Sequence, residues 1–323
     1  MKHRLRAPWL ALALAVVLVA PARIALAENA APDPAVPAAM LADVPADALV
    51  PEGEAAPQHL SDLTITNFFS EGWNQSWAKR KRYTPDMALL KVTTNFLERE
   101  FRFDYVLTNA ANNTKLDTSD MINGLIAYGL NRRLMIEVVS NYQWNHPFVG
   151  DTTSGAGGGF LSRFQLVDTD TASYAFQARI SPANKGIGAT QTSLQFAMAG
   201  WQDMHAVVEA LGRFGLYYSF QYEDLLGAHA VGAMQDDISY DVSFAETWTQ
   251  ATTPFFGNFT TFVEFFGQTA LDGASSGKTN VTITPGFRFW FIPENSLSFG
   301  VDLPISSRPA VHSVVRATYI MNF

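Results

Sequence analysis

The chain has 323 residues, with 22 basic and 30 acidic side chains, 48% hydrophobic residues and no cysteine. A chain this acidic is a poor partner for the phosphate backbone of nucleic acid. Without cysteine it has no disulfide, no thiolate nucleophile and no cysteine metal site.

Lys2, Arg4 and Arg6 open the chain, an apolar run follows from Ala7 to about Ala20, and Ala25-Leu26-Ala27 is a small-x-small cleavage site before Glu28. This is the layout of a secretory signal peptide over residues 1–27. The competing reading, an uncleaved anchor, suffers from the shortness of the run and from Pro21 and Arg23 at its end. Cleavage removes four of the 22 basic residues and no acid, which leaves 18 against 30, a net charge of about −12. No later run reaches the roughly 18 apolar residues of a membrane helix. A periplasmic protein, a secreted protein and an outer-membrane barrel remain.

Residues 28–57 carry Pro32, Pro34, Pro37, Pro45, Pro51 and Pro57, many alanines, several acids and no Lys or Arg. They read as a disordered Pro/Ala-rich linker, because so little apolar surface cannot offset the entropy of ordering. Residues 58–85 differ: Leu63, Ile65, Phe68, Phe69, Trp73 and Trp77 are large and apolar, and Lys79-Arg80-Lys81-Arg82 follows. Trp73 and Trp77 share a face if this stretch is helical. It is either an amphipathic segment that lies at the membrane interface or plugs a barrel from below, or a packed lead-in to the first strand. The basic cluster suits anionic headgroups or is simply solvated.

From residue 86 to 323 the pattern has period two. Phe101, Phe103, Tyr105 and Leu107 alternate with Arg102, Asp104, Val106 and Thr108, and Leu134, Ile136 and Val138 alternate with Glu137. The same holds for Tyr174–Ile180, Leu194–Met198, Phe214–Tyr222, Val281–Phe291 and Leu297–Leu303. Each is a strand with two unlike faces. A soluble sandwich alternates too. Long strands, near-continuous apolar outer faces and connections that alternate between tight (131–132, 168–171, 293–295) and long (109–119, 146–158, 181–189, 223–237, 271–278) favour a membrane barrel. The expected fold is all-β, an antiparallel transmembrane β-barrel of about twelve strands with a disordered N-terminal segment. The stretch 200–212 is too long for the tight turn this scheme needs there. At the end Val315, Ala317, Tyr319, Met321 and Phe323 occupy alternate positions, like the C-terminal signature read by the barrel-assembly machinery.

Two glycine motifs carry no chemistry. Asp272–Thr279 lacks the first glycine of a phosphate loop, and Gly155–Gly159 sits in no strand–loop–helix frame, so both read as loops. The histidines His59, His146, His205, His229 and His312 are scattered, and no second histidine completes a zinc motif around His205 and Glu209. No residue is assigned to a metal or cofactor, and no catalytic constellation marks an enzyme, though an outer-membrane hydrolase assembled across strands stays open. The informative residues are the charges on the presumed inner face: Arg102, Asp104, Glu137, Arg163, Arg179, Arg213, Asp241, Glu264, Arg288, Asp302 and Arg316. Isolated charges must pair or meet water, so these form either a paired lattice that fills a narrow barrel or a polar channel lining. Phe262, Phe266 and Trp290 share those faces, as filler or as a path for aromatic solutes.

Thr284-Pro285-Gly286-Phe287-Arg288-Phe289-Trp290-Phe291, the strand Leu297–Pro304, the closing strand on Phe323, Phe214–Glu223 and Leu225-Leu226-Gly227 resemble the outer-membrane family named for the meta-cleavage pathway of phenol degradation. The resemblance spans residues 86–323 and implies a barrel that passes small, hydrophobic or aromatic compounds, with no catalytic or binding residues to carry over. The expected partners are outer-membrane lipid, a small solute and the assembly machinery, and no nucleic acid. The alternative is a non-conducting anchoring barrel whose tail reaches periplasmic partners.

Overall fold

A computed structural model describes residues 60–110, 118–147, 150, 152–183, 191–226, 236–306 and 311–323. The expected signal peptide and linker lie outside the described residues, and the chain divides into Met1–Ser61 and a unit Asp62–Phe323. Within the second unit the period-two segments form β1 (Arg99–Ala110), β2 (Thr118–Gly129), β3 (Leu134–His146), β4 (Thr153–Asp168), β5 (Ala172–Ser181) and β6 (Thr192–Asp203). They continue as β7 (Phe214–Leu226), β8 (Asp236–Thr247), β9 (Gly257–Ala270), β10 (Thr279–Ile292), β11 (Asn295–Pro304) and β12 (Val311–Asn322). Each strand pairs antiparallel with its chain neighbour, and β1 pairs with β12, so the sheet closes as a barrel without an edge.

The register joins the outward apolar residues into rows. Ile126 stands opposite Val138, Val138 opposite Phe160, Phe160 opposite Ile180 and Ile180 opposite Leu194. Across the closure Phe103 faces Tyr319, Tyr319 faces Leu297 and Leu297 faces Phe289. Many of these side chains are exposed in isolation, among them Ile126, Val138, Phe160 and Phe196. An apolar belt of this extent is an exterior built for lipid rather than water.

Side-chain chemistry sets the turns. Asn131 Oδ1 accepts the N–H groups of Arg133 (2.7 Å) and Leu134 (2.8 Å), which folds the β2–β3 turn. Thr169 Oγ1 accepts the N–H of Ala172 (3.0 Å) at the β4–β5 turn. The long β6–β7 connection holds two single 3₁₀ turns, Met204–Ala206 and Glu209–Leu211. The first is capped by Asp203, and His205 there meets the Glu209 carbonyl (3.0 Å) through its ring. These turns, with 248–256 and 293–294, share one end of the barrel with the start of β1 and the end of β12, where Phe323 N–H donates to Arg99 O (3.0 Å). The other end carries the long connections, parts of which lie outside the described residues.

Two expectations need correction, and one open alternative is decided. The first strand begins at Arg99, not near residue 86, so 86–98 belong with the segment before them. Gly155–Gly159 are not a loop: they lie in β4, paired to Gln143–Val139 of β3. Trp73 and Trp77 lie on no helix: the stretch 60–98 is irregular in hydrogen bonding, with one isolated bridge at Leu63. The stretch 272–279 does form the β9–β10 connection, and a strand follows it.

A plugged lumen as the candidate functional site

The irregular segment has two parts. In the first, Leu63 exchanges backbone hydrogen bonds with Asp168 at the foot of β4 (3.0 and 2.8 Å). Trp73 packs on Phe68 (5.4 Å between ring centroids) and tilts toward Phe164 on the outer face of β4 (6.5 Å), while Ile65 and Phe69 stay exposed. Arg133, wholly buried, holds this knuckle by donating to Glu71 O (2.8 Å), Asn67 O (3.0 Å) and Gln165 O (3.0 Å).

The second part enters the barrel. Met87, Leu89, Leu90, Val92 and Phe96 form one buried apolar cluster with Trp201, Tyr217, Ala245 and Phe262 of the inner wall. Apolar residues drive this segment out of water, and the wall answers with small or aromatic inward positions. Gly300 is one: a Cβ there would come within 2.4 Å of Leu90 Cδ1. Residues 78–98 are therefore a plug.

The wall charges hold the main chain of this plug. Glu264, wholly buried, accepts the N–H groups of Lys91 (3.1 Å) and Val92 (3.1 Å). Arg288 donates to Ala88 O (3.0 Å) and Ser296 Oγ (3.1 Å). Arg163 donates to Phe96 O (2.8 Å), and Asn95 of the plug returns a bond to Ser173 O (2.9 Å). An irregular main chain in a water-poor lumen needs such partners for its N–H and C=O groups, and bonds to charged groups are the stronger kind.

The remaining charges divide. Asp302 bonds Arg316 (3.0 Å) and lies 3.4 Å from Lys91 Nζ of the plug. Arg102 pairs with Asp104 (2.8 Å), and Glu137 stands 3.7 Å from Arg163. Asp241 takes a bond from Ser219. Arg179 has no carboxylate partner among the described residues, and its Nε is buried without a hydrogen bond. Arg213 stands apart from the rest: one residue before β7, at the short-turn rim, it donates to Tyr83 O (3.2 Å), Thr249 O (2.6 Å) and Asn258 Oδ1 (3.0 Å). Of the aromatic residues noted with the charges, Phe262 joins the core under the plug and Phe266 lies 4.1 Å from Lys91 Nζ.

At the rim where the plug enters, Asp168 gathers Arg80 (3.4 Å), Arg82 and Arg132 (3.3 Å). Arg82 also pairs with Asp86 and lies over the rings of Phe96 (5.2 Å) and Trp201 (5.0 Å). Arg80 and Arg82 are thus buried anchors rather than a solvated run, while Lys79 reaches Glu98 (3.2 Å). Burial pushes the Asp86 carboxyl up to about 6, against the pull of Arg82. Arg132, Arg133 and Asp168 had no signal in the sequence beyond their place in tight turns.

Beyond the plug, on the side of the long connections, lies a cavity of about 370 Å³. Leu90–Thr94 of the plug form its floor, and Arg102, Asp104, Glu137, Arg163 and Arg179 are among its walls.

No protein-family model matches the sequence, and no curated protein does. Among solved structures, an outer membrane channel from Pseudomonas putida F1 superposes with a TM-score of 0.51 at 11% identity, over 76% of this chain and all of the other. The β domain of the Bordetella autotransporter BrkA gives 0.46 at 9% identity over 69% and 98%, and the KdgM porin 0.43 at 10% over 69% and 99%. The first of these likenesses shows the closed-barrel fold.

Proposed function

We propose that this chain is an outer-membrane channel for small solutes whose path is closed, in the state described, by its own residues 78–98. The apolar belt supports insertion in a bilayer, and the signal-like residues 1–27 support export. The short-turn end then faces the periplasm, as in bacterial barrels generally. The C-terminal strand ending in Phe323 serves recognition by the assembly machinery, and the resemblance to the phenol-pathway family supports hydrophobic or aromatic solutes.

One observation carries the reading. The plug's main chain is held by Glu264, Arg288 and Arg163, and a polar cavity stands beyond it. A barrel meant only to be solid is filled by its own strand side chains. Here the strands leave room for a separate segment and bind it through polar groups that water can satisfy in its place.

The test is stepwise conductance in a planar bilayer, with the full mature chain beside a form lacking residues 28–98. Long-lived conducting steps from the shortened form, and rare or brief ones from the full chain, are expected. If both insert as folded barrels and neither conducts, the channel reading fails. The second reading, an anchoring barrel sealed for good by its plug, would then hold.

A further inference from the structure

The cavity above the plug contains a cation that the plug does not use. Among the cations around it, Arg102 donates to Asp104 (2.8 Å), Arg163 to Phe96 O (2.8 Å) and Lys91 to Thr282 Oγ1 (2.8 Å). Arg179, on the inner face of β5, has no carboxylate partner among the described residues, and its buried Nε has no hydrogen-bond partner. Thr94 Oγ1, contributed to the same cavity by the plug, is likewise buried without a partner. Buried polar atoms normally find one.

The wall around Arg179 is polar on its own strand and its neighbour. Gln195 of β6 and Leu161 of β4 are its register partners, and Gln177 precedes it on the same face. A Cβ on Gly159 would come within 2.9 Å of Ile180 O and Ser181 Oγ and 3.3 Å of Arg179 Nε, so the bare backbone of β4 lets the end of β5 that carries Arg179 approach closely. Elsewhere the lining is mixed: Leu90 and Val92 of the plug and Leu125 and Val139 of the wall are apolar, while Asn123 and Asn141 and the carboxylates of Glu100, Asp104 and Glu137 are polar. The volume, about 370 Å³, falls in the usual range of small-molecule sites, about 300–1,000 Å³.

We propose that this cavity is a binding site for a small organic carboxylate. The planar guanidinium of Arg179 matches a carboxylate in two-point geometry, which a point charge does not. Gln177 and Gln195 offer further donors, and Leu90, Val92, Leu125 and Val139 offer contacts for its carbon frame. The solute would rest directly on the plug, against Thr94. The proposal rests on reading the lumen as a solute path, yet binding is read on the closed protein, so binding and conductance can fail independently.

The experiment is calorimetric titration of the full mature chain in detergent with benzoate and hexanoate, each beside its uncharged amide. The carboxylates should bind about tenfold or more tightly than their amides, with the preference weakening in salt. Arg179→Gln should erase the preference, and Arg179→Lys should keep part of it. The proposal is overturned if the wild-type protein does not distinguish acid from amide, or if Arg179→Gln distinguishes them as well as wild type. Should Arg179→Gln fail to form a barrel, the wild-type comparison and Arg179→Lys still decide.

Discussion

Glu264 is the residue on which the plug turns. Its carboxylate takes two adjacent backbone N–H groups from the plug, and hydrogen bonds to charged groups contribute about 1.5–3 kcal/mol each. Glu264→Ala removes both, so the open fraction should rise by roughly a hundredfold or more and the amide of Val92 should exchange faster. An unchanged open fraction in a folded variant would show that apolar contacts alone seat the plug. Asp86 makes a pH-dependent contribution. Its carboxyl, held at about 6 by burial, sits above its unfolded value of roughly 3.9. The stability it lends is therefore complete below the unfolded value and is lost as pH rises through about 6. Equilibrium urea unfolding in lipid should show Asp86→Asn gaining on wild type between about pH 4 and pH 7. A constant difference between the two proteins across that window would mean that Asp86 has an ordinary titration.

At the scale of elements, the plug is the unit that either moves or does not. Thr84 Oγ1 donates to Asp203 Oδ1 (2.8 Å), which ties the plug to the end of β6. The native chain has no cysteine, so the pair Thr84→Cys and Asp203→Cys gives a lock free of side reactions. Oxidised protein should show fewer openings than the same protein after reduction. Equal opening in both states, with the disulfide verified, would mean that solutes pass without displacement of this segment. The knuckle before the plug plays a separate part. Leu63, Trp73 and Arg133 tie it to the foot of β4, so the plug hangs from an anchored base.

For the whole molecule, closure is what makes the lipid-facing rows continuous. A charge placed in the middle of such a row should be costly. Val138→Arg, between Ile126 and Phe160, should lower stability in lipid by about 2–4 kcal/mol, the range for a cation near the bilayer midplane. The same substitution at an exposed position of a soluble protein costs little, so a change within about 0.5 kcal/mol would argue against bilayer insertion at that depth. The inner face was legible as a face but not as a site. Alternation tells which residues point inward. It does not tell that Glu264 meets a plug residue 173 positions earlier in the chain, or that Arg288 meets one 200 positions earlier.

The sequence by itself determined the strands, their two faces and their number to within the uncertainty around 200–212, because alternation is local and the pleat enforces it. It also marked the stretch around Trp73 and Trp77 as unlike the rest. Only the tertiary structure decided that the plug extends to Glu98, since 86–98 take their shape from partners across the lumen and not from their place beside the first strand. It decided, too, which charges clamp the plug, which pair with each other and that Arg179 does neither. Those roles depend on what stands across the lumen, and barrel closure brings together residues that no spacing along the chain relates.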